Sequence, residues 1–227
     1  MKKLLTAFLL LALLVPSLTL IAPNVALAQM VDSLDSYSDG DWAGNGTWTG
    51  SATWDIQGTV VQGGTKAAVH SGATGTEIDG TFTLAASDTQ CLYGRTANNS
   101  ISDLWTFDLA EGAQPVIRTR ISGGQLQYFD GATYNNLGAI SNDTWFKLEI
   151  QWQASDDTAR YQLDDGGYTA YDTIWSAITT GVDTLSPSKD ANNAAAVYFD
   201  TFTDCTAAPA AAAAKSILQL VKAFWIF

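Results

Sequence analysis

The clearest pattern in the chain lies between Trp145 and Gln153, where Phe146, Leu148, Ile150 and Trp152 alternate with Lys147, Glu149 and Gln151. A period of two puts the apolar set on one side of a pleated strand, so the segment predicts a strand with one buried face and Trp152 in the core. Ser155-Asp156-Asp157 supplies a turn, and residues 158–163 repeat the alternation through Ala159, Tyr161 and Leu163, which predicts a hairpin. Residues 196–203 predict another strand, with Val197 and Phe199 opposed to Tyr198 and Phe202. Further strands are expected at 80–85, 89–95, 104–109, 115–121 and 125–130. Clusters such as Ala97-Asn98-Asn99-Ser100, Ser122-Gly123-Gly124 and Asp130-Gly131 separate them. Strands about ten residues apart, without a long helical pattern, predict an all-β fold: a two-sheet antiparallel β-sandwich, or jelly roll, over residues 29–206.

The two ends of the chain differ from this middle. Lys2 and Lys3 precede an apolar stretch that closes on Ala26-Leu27-Ala28, so residues 1–28 read as a secretory signal peptide. A secreted or cell-surface protein is the expectation. Residues 207–214 form an Ala/Pro linker, and residues 215–227 an amphipathic tail with Ile217, Leu218, Val221, Phe224 and Trp225 on one helical face. The tail is too short to span a bilayer, which takes about 20 apolar residues. Peripheral membrane contact or self-association through it is the expected use.

Composition narrows the chemistry. Net charge is −12, which disfavours nucleic acid and anionic lipid as partners. Nearly all the acids are aspartates, which suit turns, and 8 Trp, 8 Tyr and 9 Phe suit strands. With one histidine, His70, and no C-x-x-C, a zinc site or a His-dependent triad lacks its usual parts. Cys91 and Cys205 permit a single intramolecular bridge, and export to an oxidising compartment makes that disulfide the expectation.

Several segments together carry a resemblance: residues 34–42 with Trp42, followed by Trp48, Trp54, Val61-Gln-Gly-Gly-Thr-Lys-Ala-Ala68, residues 126–131, the Trp145 strand, residues 161–167 and residues 197–202. Over residues 31–206 the chain resembles the concanavalin A-like lectin/glucanase superfamily in its laminin-G-like form. The resemblance implies a jelly roll, commonly a sugar- or surface-binding module, in which a late strand holding an acidic residue returns beside the first strand. It places Asp200 beside the Asp32, Asp35, Asp39 and Asp41 cluster. A structural calcium ion with Asp200 and Asp35 as ligands is therefore expected.

The superfamily's glucanases carry Glu-x-Asp-x-x-Glu on one strand. The nearest match here is Glu77-Ile78-Asp79-Gly80-Thr81-Phe82, with Phe82 in place of the second glutamate. Glu149 has no acid two residues away, so a non-catalytic, lectin-like role is expected rather than hydrolysis. Exposed rings would stack on sugars and polar groups would read hydroxyls, giving Trp42, Trp48, Trp145, Trp175, Arg118 and Arg120 as candidate glycan-binding residues. The alternatives are a structural or adhesive surface protein that self-assembles through a sheet face or its tail, and a glycoside hydrolase.

Overall fold

The computed structural model describes residues 31–72, 75–100, 105–189 and 195–203. The expected signal peptide, linker, tail and Cys205 lie outside the described residues. The chain first forms short strands β1 (Gly40–Asp41), β2 (Trp48–Gly50), β3 (Asp55–Gln57) and β4 (Ala67–His70). Longer ones follow: β5 (Thr76–Ala85), β6 (Ser87–Thr96), β7 (Trp105–Glu111), β8 (Gln114–Ser122), β9 (Gln125–Phe129) and β10 (Tyr134–Ala139). The last are β11 (Phe146–Gln153), β12 (Thr158–Leu163), β13 (Asp172–Thr173), β14 (Val182–Lys189) and β15 (Val197–Thr203).

They build two antiparallel sheets, of order β1-β3-β4-β15-β6-β11-β12-β13 and β10-β9-β8-β7-β14-β5-β2. The expected all-β, two-sheet sandwich is the fold. Phe146, Leu148, Ile150 and Trp152 of β11 are buried between the sheets, with Leu92 of β6 and Tyr161 of β12. Gly94 sits opposite Phe146 across β6 and β11, and a Cβ there would lie 2.4 Å from the Phe146 ring, so this close approach requires glycine.

Trp42, Trp48 and Trp54 are fully buried. Trp42 and Trp48 have ring centroids 4.2 Å apart, Trp48 and Phe202 5.0 Å, Trp54 and Phe199 5.5 Å, and Phe199 and Trp105 4.9 Å. This column corrects the expectation that Trp42 and Trp48 meet ligand. The turn-rich segment that carries them folds inward as β1, β2 and β3, which edge both sheets, so its rings close one end of the core. Trp48 Nε1 donates to Asp32 Oδ2 at 2.8 Å, tying the start of the described chain to the core.

Asp32 also bridges to Phe202, so β15 returns beside the opening segment, as the resemblance implied. Thr203 pairs with buried Cys91 where β15 leaves the described residues, two positions before Cys205.

Candidate functional site

Residues of opposite parity to the core set face outward from each sheet. On the seven-stranded sheet this outer set runs Glu77 and Asp79 on β5, Ser186 and Ser188 on β14, Thr106 and Asp108 on β7, Arg118 and Arg120 on β8, Gln127 and Phe129 on β9, and Tyr134 and Asn136 on β10. The register sets Asp108 directly between Ser186 and Arg118. The row is almost free of aliphatic side chains and ends in rings.

Arg118 grips Asp108 with both Nε and Nη2; Nε lies 2.8 Å from Oδ1 and 3.0 Å from Oδ2. Asp108 is 4% exposed. Burial pushes its carboxyl upward while the guanidinium pulls it back, and Arg118 itself is held above its ordinary range, so the two form a fork-to-fork ion pair. Trp175 lies over the same guanidinium, 4.1 Å from ring centroid to Cζ, and remains 37% exposed. Phe129 meets the Trp175 ring edge-on at 5.9 Å and packs on Tyr134 at 4.9 Å. Arg120 lies over Tyr134 at 3.3 Å, and its Nε donates to Gln127 Oε1 at 2.8 Å. Gln127 Nε2 donates on to Asn136 Oδ1 at 2.8 Å.

The loop that presents Trp175 is fastened on both sides. The Trp175 N–H donates to Val116 O at 3.0 Å, Ile178 N–H to Asp157 Oδ1 at 2.8 Å, and Ile174 and Ile178 are buried. Thr179 and Thr180 donate hydroxyl and backbone N–H groups to Glu111, which pull its carboxyl down to about 2.

On the same face, three strands from Arg118, stands a carboxylate pair on β5. Ser186 Oγ donates to Asp79 Oδ1 at 2.5 Å. Desolvation, then the neighbouring Asp79 carboxylate and, more weakly, Asp108, push Glu77 above the usual carboxylate range.

Of the residues expected from sequence, Arg118, Arg120 and Trp175 are brought together here. Trp145 is not: it lies half-buried on the opposite face, where it meets Tyr198 at 6.2 Å beside Arg95. Asp108, Phe129 and Tyr134 were missed. Asp108 carries a readable signal, an acid at the outward parity of the apolar run Trp105-Thr-Phe-Asp-Leu109, facing Arg118 across a Glu111-Gly112 turn.

The expected calcium ligands are occupied otherwise. Asp200 Oδ2 accepts Gln62 N–H at 2.7 Å and Gly63 N–H at 3.3 Å, and its Oδ1 accepts the Thr201 hydroxyl at 2.9 Å. Asp35 Oδ1 accepts the N–H groups of Thr65 and Lys66 at 2.6 and 2.9 Å. These carboxylates brace the residues 62–66 loop, and among the described residues no cluster of three acidic, histidine or cysteine groups could hold a metal ion.

No protein-family model and no curated protein matches the chain. Solved structures share the fold. A sialidase superposes with a TM-score of 0.58 at 8% identity, covering 79% of this chain and 19% of that one. The catalytic domain of a glycoside hydrolase family 131 protein from Coprinopsis cinerea superposes at 0.54 and 11% identity, covering 81% and 97%. A carbohydrate esterase, vb_24B_21, from the Shiga toxin-encoding bacteriophage phi24B superposes at 0.50 and 12% identity, covering 68% and 88%. This chain thus spans about a fifth of the sialidase and most of the other two. The likeness is one of β-sandwich fold, consistent with the concanavalin A-like resemblance read from the sequence.

Proposed function

We propose that the chain is a carbohydrate-binding module acting outside the cell, and that its binding surface is the outer face of the seven-stranded sheet around Trp175. The mounting of Trp175 carries this reading. Its indole rests on an arginine whose charge is already neutralised by Asp108, in a loop pinned to β8, and part of it stays open to solvent. A pyranose offers an apolar C–H face to such a ring and hydroxyls at its rim to Arg120, Gln127 and Asn136. A ring fixed before binding loses little rotamer freedom on contact. The names carried by the sialidase, the esterase and the hydrolase support the same ligand class.

Affinity electrophoresis through gels containing different soluble polysaccharides tests the proposal. One polysaccharide class retards the parent protein, Trp175→Ala migrates as in an empty gel, and its melting temperature stays near the parent's. Equal retardation of Trp175→Ala by that polysaccharide would overturn the assignment.

A second reading, glycosidic hydrolysis, is favoured by one observation: Glu77 and Asp79 share the outward face of β5, and desolvation together with the Asp79 carboxylate pushes Glu77 above the usual carboxylate range. That reaction uses a pair of carboxyl groups flanking the scissile bond. New reducing ends from the retarding polysaccharide, lost in Glu77→Gln, would add catalysis to binding. Their absence leaves a binding module.

A further inference from the structure

The outer face of the eight-stranded sheet carries an arginine mounted quite differently. On β12, Arg160 stands opposite Gln151 of β11, and its Nε donates to Gln151 Oε1 at 2.6 Å. Its guanidinium lies over two tyrosine rings, 4.3 Å from the centroid of Tyr168 and 4.9 Å from that of Tyr171. After β12, Asp164 and Asp165 take left-handed conformations (φ 50° and 58°) and turn the chain back. Thr169 N–H then bonds Tyr161 O at 2.9 Å, and β13 pairs with Thr158 and Ala159. That return lays Tyr168 and Tyr171 over the sheet.

A polar mesh holds the rings. Tyr171 Oη donates to Gln151 Oε1 at 2.9 Å and accepts from Gln153 Nε2 at 3.0 Å, while Gln151 Nε2 donates to Thr89 Oγ1 at 3.2 Å. Tyr171 is 37% exposed. The two tyrosines are thus part of a built platform.

The counter-charge is what distinguishes this platform. Among the described residues no carboxylate lies within ion-pair distance, 4.0 Å, of Arg160, and Glu149 attracts it only from farther off. Glu149, on the same face of β11, and Asp165 are both turned to Lys147, at 3.7 and 2.6 Å. Of the five N–H donors a guanidinium carries, only Nε–H has a hydrogen-bond partner among the described residues. A stacked, oriented guanidinium with its outer donors uncommitted matches the two oxygens of a carboxylate.

We propose that Arg160, Tyr168 and Tyr171 form a second glycan site, on the opposite side of the sandwich from Trp175, which takes a carboxylate-bearing sugar residue of the uronic-acid type. The carboxylate docks on the Arg160 Nη groups, and the sugar ring lies along Tyr171. Two platforms on opposite faces let one molecule bridge two glycan chains. The site stands on observations independent of Trp175.

Galacturonic-acid oligosaccharides and their methyl esters, titrated calorimetrically into the full chain, provide the test, because esterification removes the charge and keeps the ring. The acid form binds at least ten times more tightly than the ester, Arg160→Ala abolishes that difference, and Arg160→Lys, which keeps the charge without the fork, loses most of it. Trp175→Ala keeps it, so failure here and failure of the Trp175 surface read out separately. Thermal melts confirm that each variant is folded. Equal binding of acid and ester, no binding of the acid form by the folded parent, or undiminished preference in Arg160→Ala would each overturn the proposal.

Discussion

Arg118 and Arg160 occupy opposite faces of one sandwich, and each lies over exposed aromatic rings. They differ in what meets their charge. Arg118 is held at both nitrogens by a buried carboxylate from the next strand, whereas the Arg160 guanidinium meets two tyrosines and an amide. Burial decides their roles: a carboxylate as enclosed as Asp108 cannot remain ionised without a partner, so Arg118 is committed to it and serves as a strut beneath Trp175. Arg160 has no such obligation: among the described residues its only hydrogen bond is the one Nε donates to Gln151.

The two tryptophan classes extend the contrast and carry the largest expected effect. Replacing a core ring, as in Trp48→Ala, removes an indole that packs on Trp42 and Phe202 and takes one of the donors from Asp32, which keeps those of Leu34 N–H and Tyr37 Oη. Chemical denaturation is expected to show a loss of about 3–5 kcal/mol. Trp175→Ala, read the same way, loses under about 1 kcal/mol while abolishing glycan retention. A stability loss as large as that of Trp48→Ala would make Trp175 a core residue.

Next comes the strut. Arg118→Ala leaves Asp108 buried without its counter-charge and should cost on the order of 3 kcal/mol, against no more than about 0.5 kcal/mol for Arg160→Ala. Equal effects in the two unfolding curves would erase the distinction between the faces. Gly94→Ala, which drives a methyl into the Phe146 ring, falls between at about 1–3 kcal/mol.

The smallest effect is a pH dependence. Burial, followed by the nearby Lys189 charge, pushes the His70 imidazole down, so the folded state binds fewer protons than the unfolded state, whose histidine titrates near pH 6.5. Stability from this residue is complete above about pH 6.5 and is lost as pH falls below it. Glu77, Asp108, Glu149 and Asp200 act in the opposite sense: burial raises each, so their native forms gain stability relative to the unfolded chain as pH falls toward the carboxylate range. Melting curves of the parent and of His70→Phe, compared from pH 7 to 5.5, should separate the two. The variant loses the histidine-linked decline, and identical profiles would remove His70 from the account.

How much of this was legible in the chain varies with the physics. The β11–β12 hairpin was readable because period-two alternation and a Ser-Asp-Asp turn agree with each other. Strand β14 was not, since Pro187 cannot donate to a ladder and its serines offer no apolar alternation, yet it lies between β7 and β5. Arg118 and Arg120, two positions apart on β8, share a face by parity alone. Trp42 and Trp48 were misread, because a segment rich in Gly and Asp resembles a surface loop until strand pairing carries its rings inward. Arg160 over Tyr168 and Tyr171 was invisible: the contact depends on residues 164–173 doubling back along β12, which no local pattern encodes.

The central claim is that an exposed, strut-mounted ring on the seven-stranded sheet binds carbohydrate. A glycan array probed in parallel with the parent protein and with Trp175→Ala tests it most directly. The parent is expected to bind one sugar class saturably, and the folded variant to show no such binding. A blank array from the folded, monodisperse parent, or the same profile from Trp175→Ala, would contradict it.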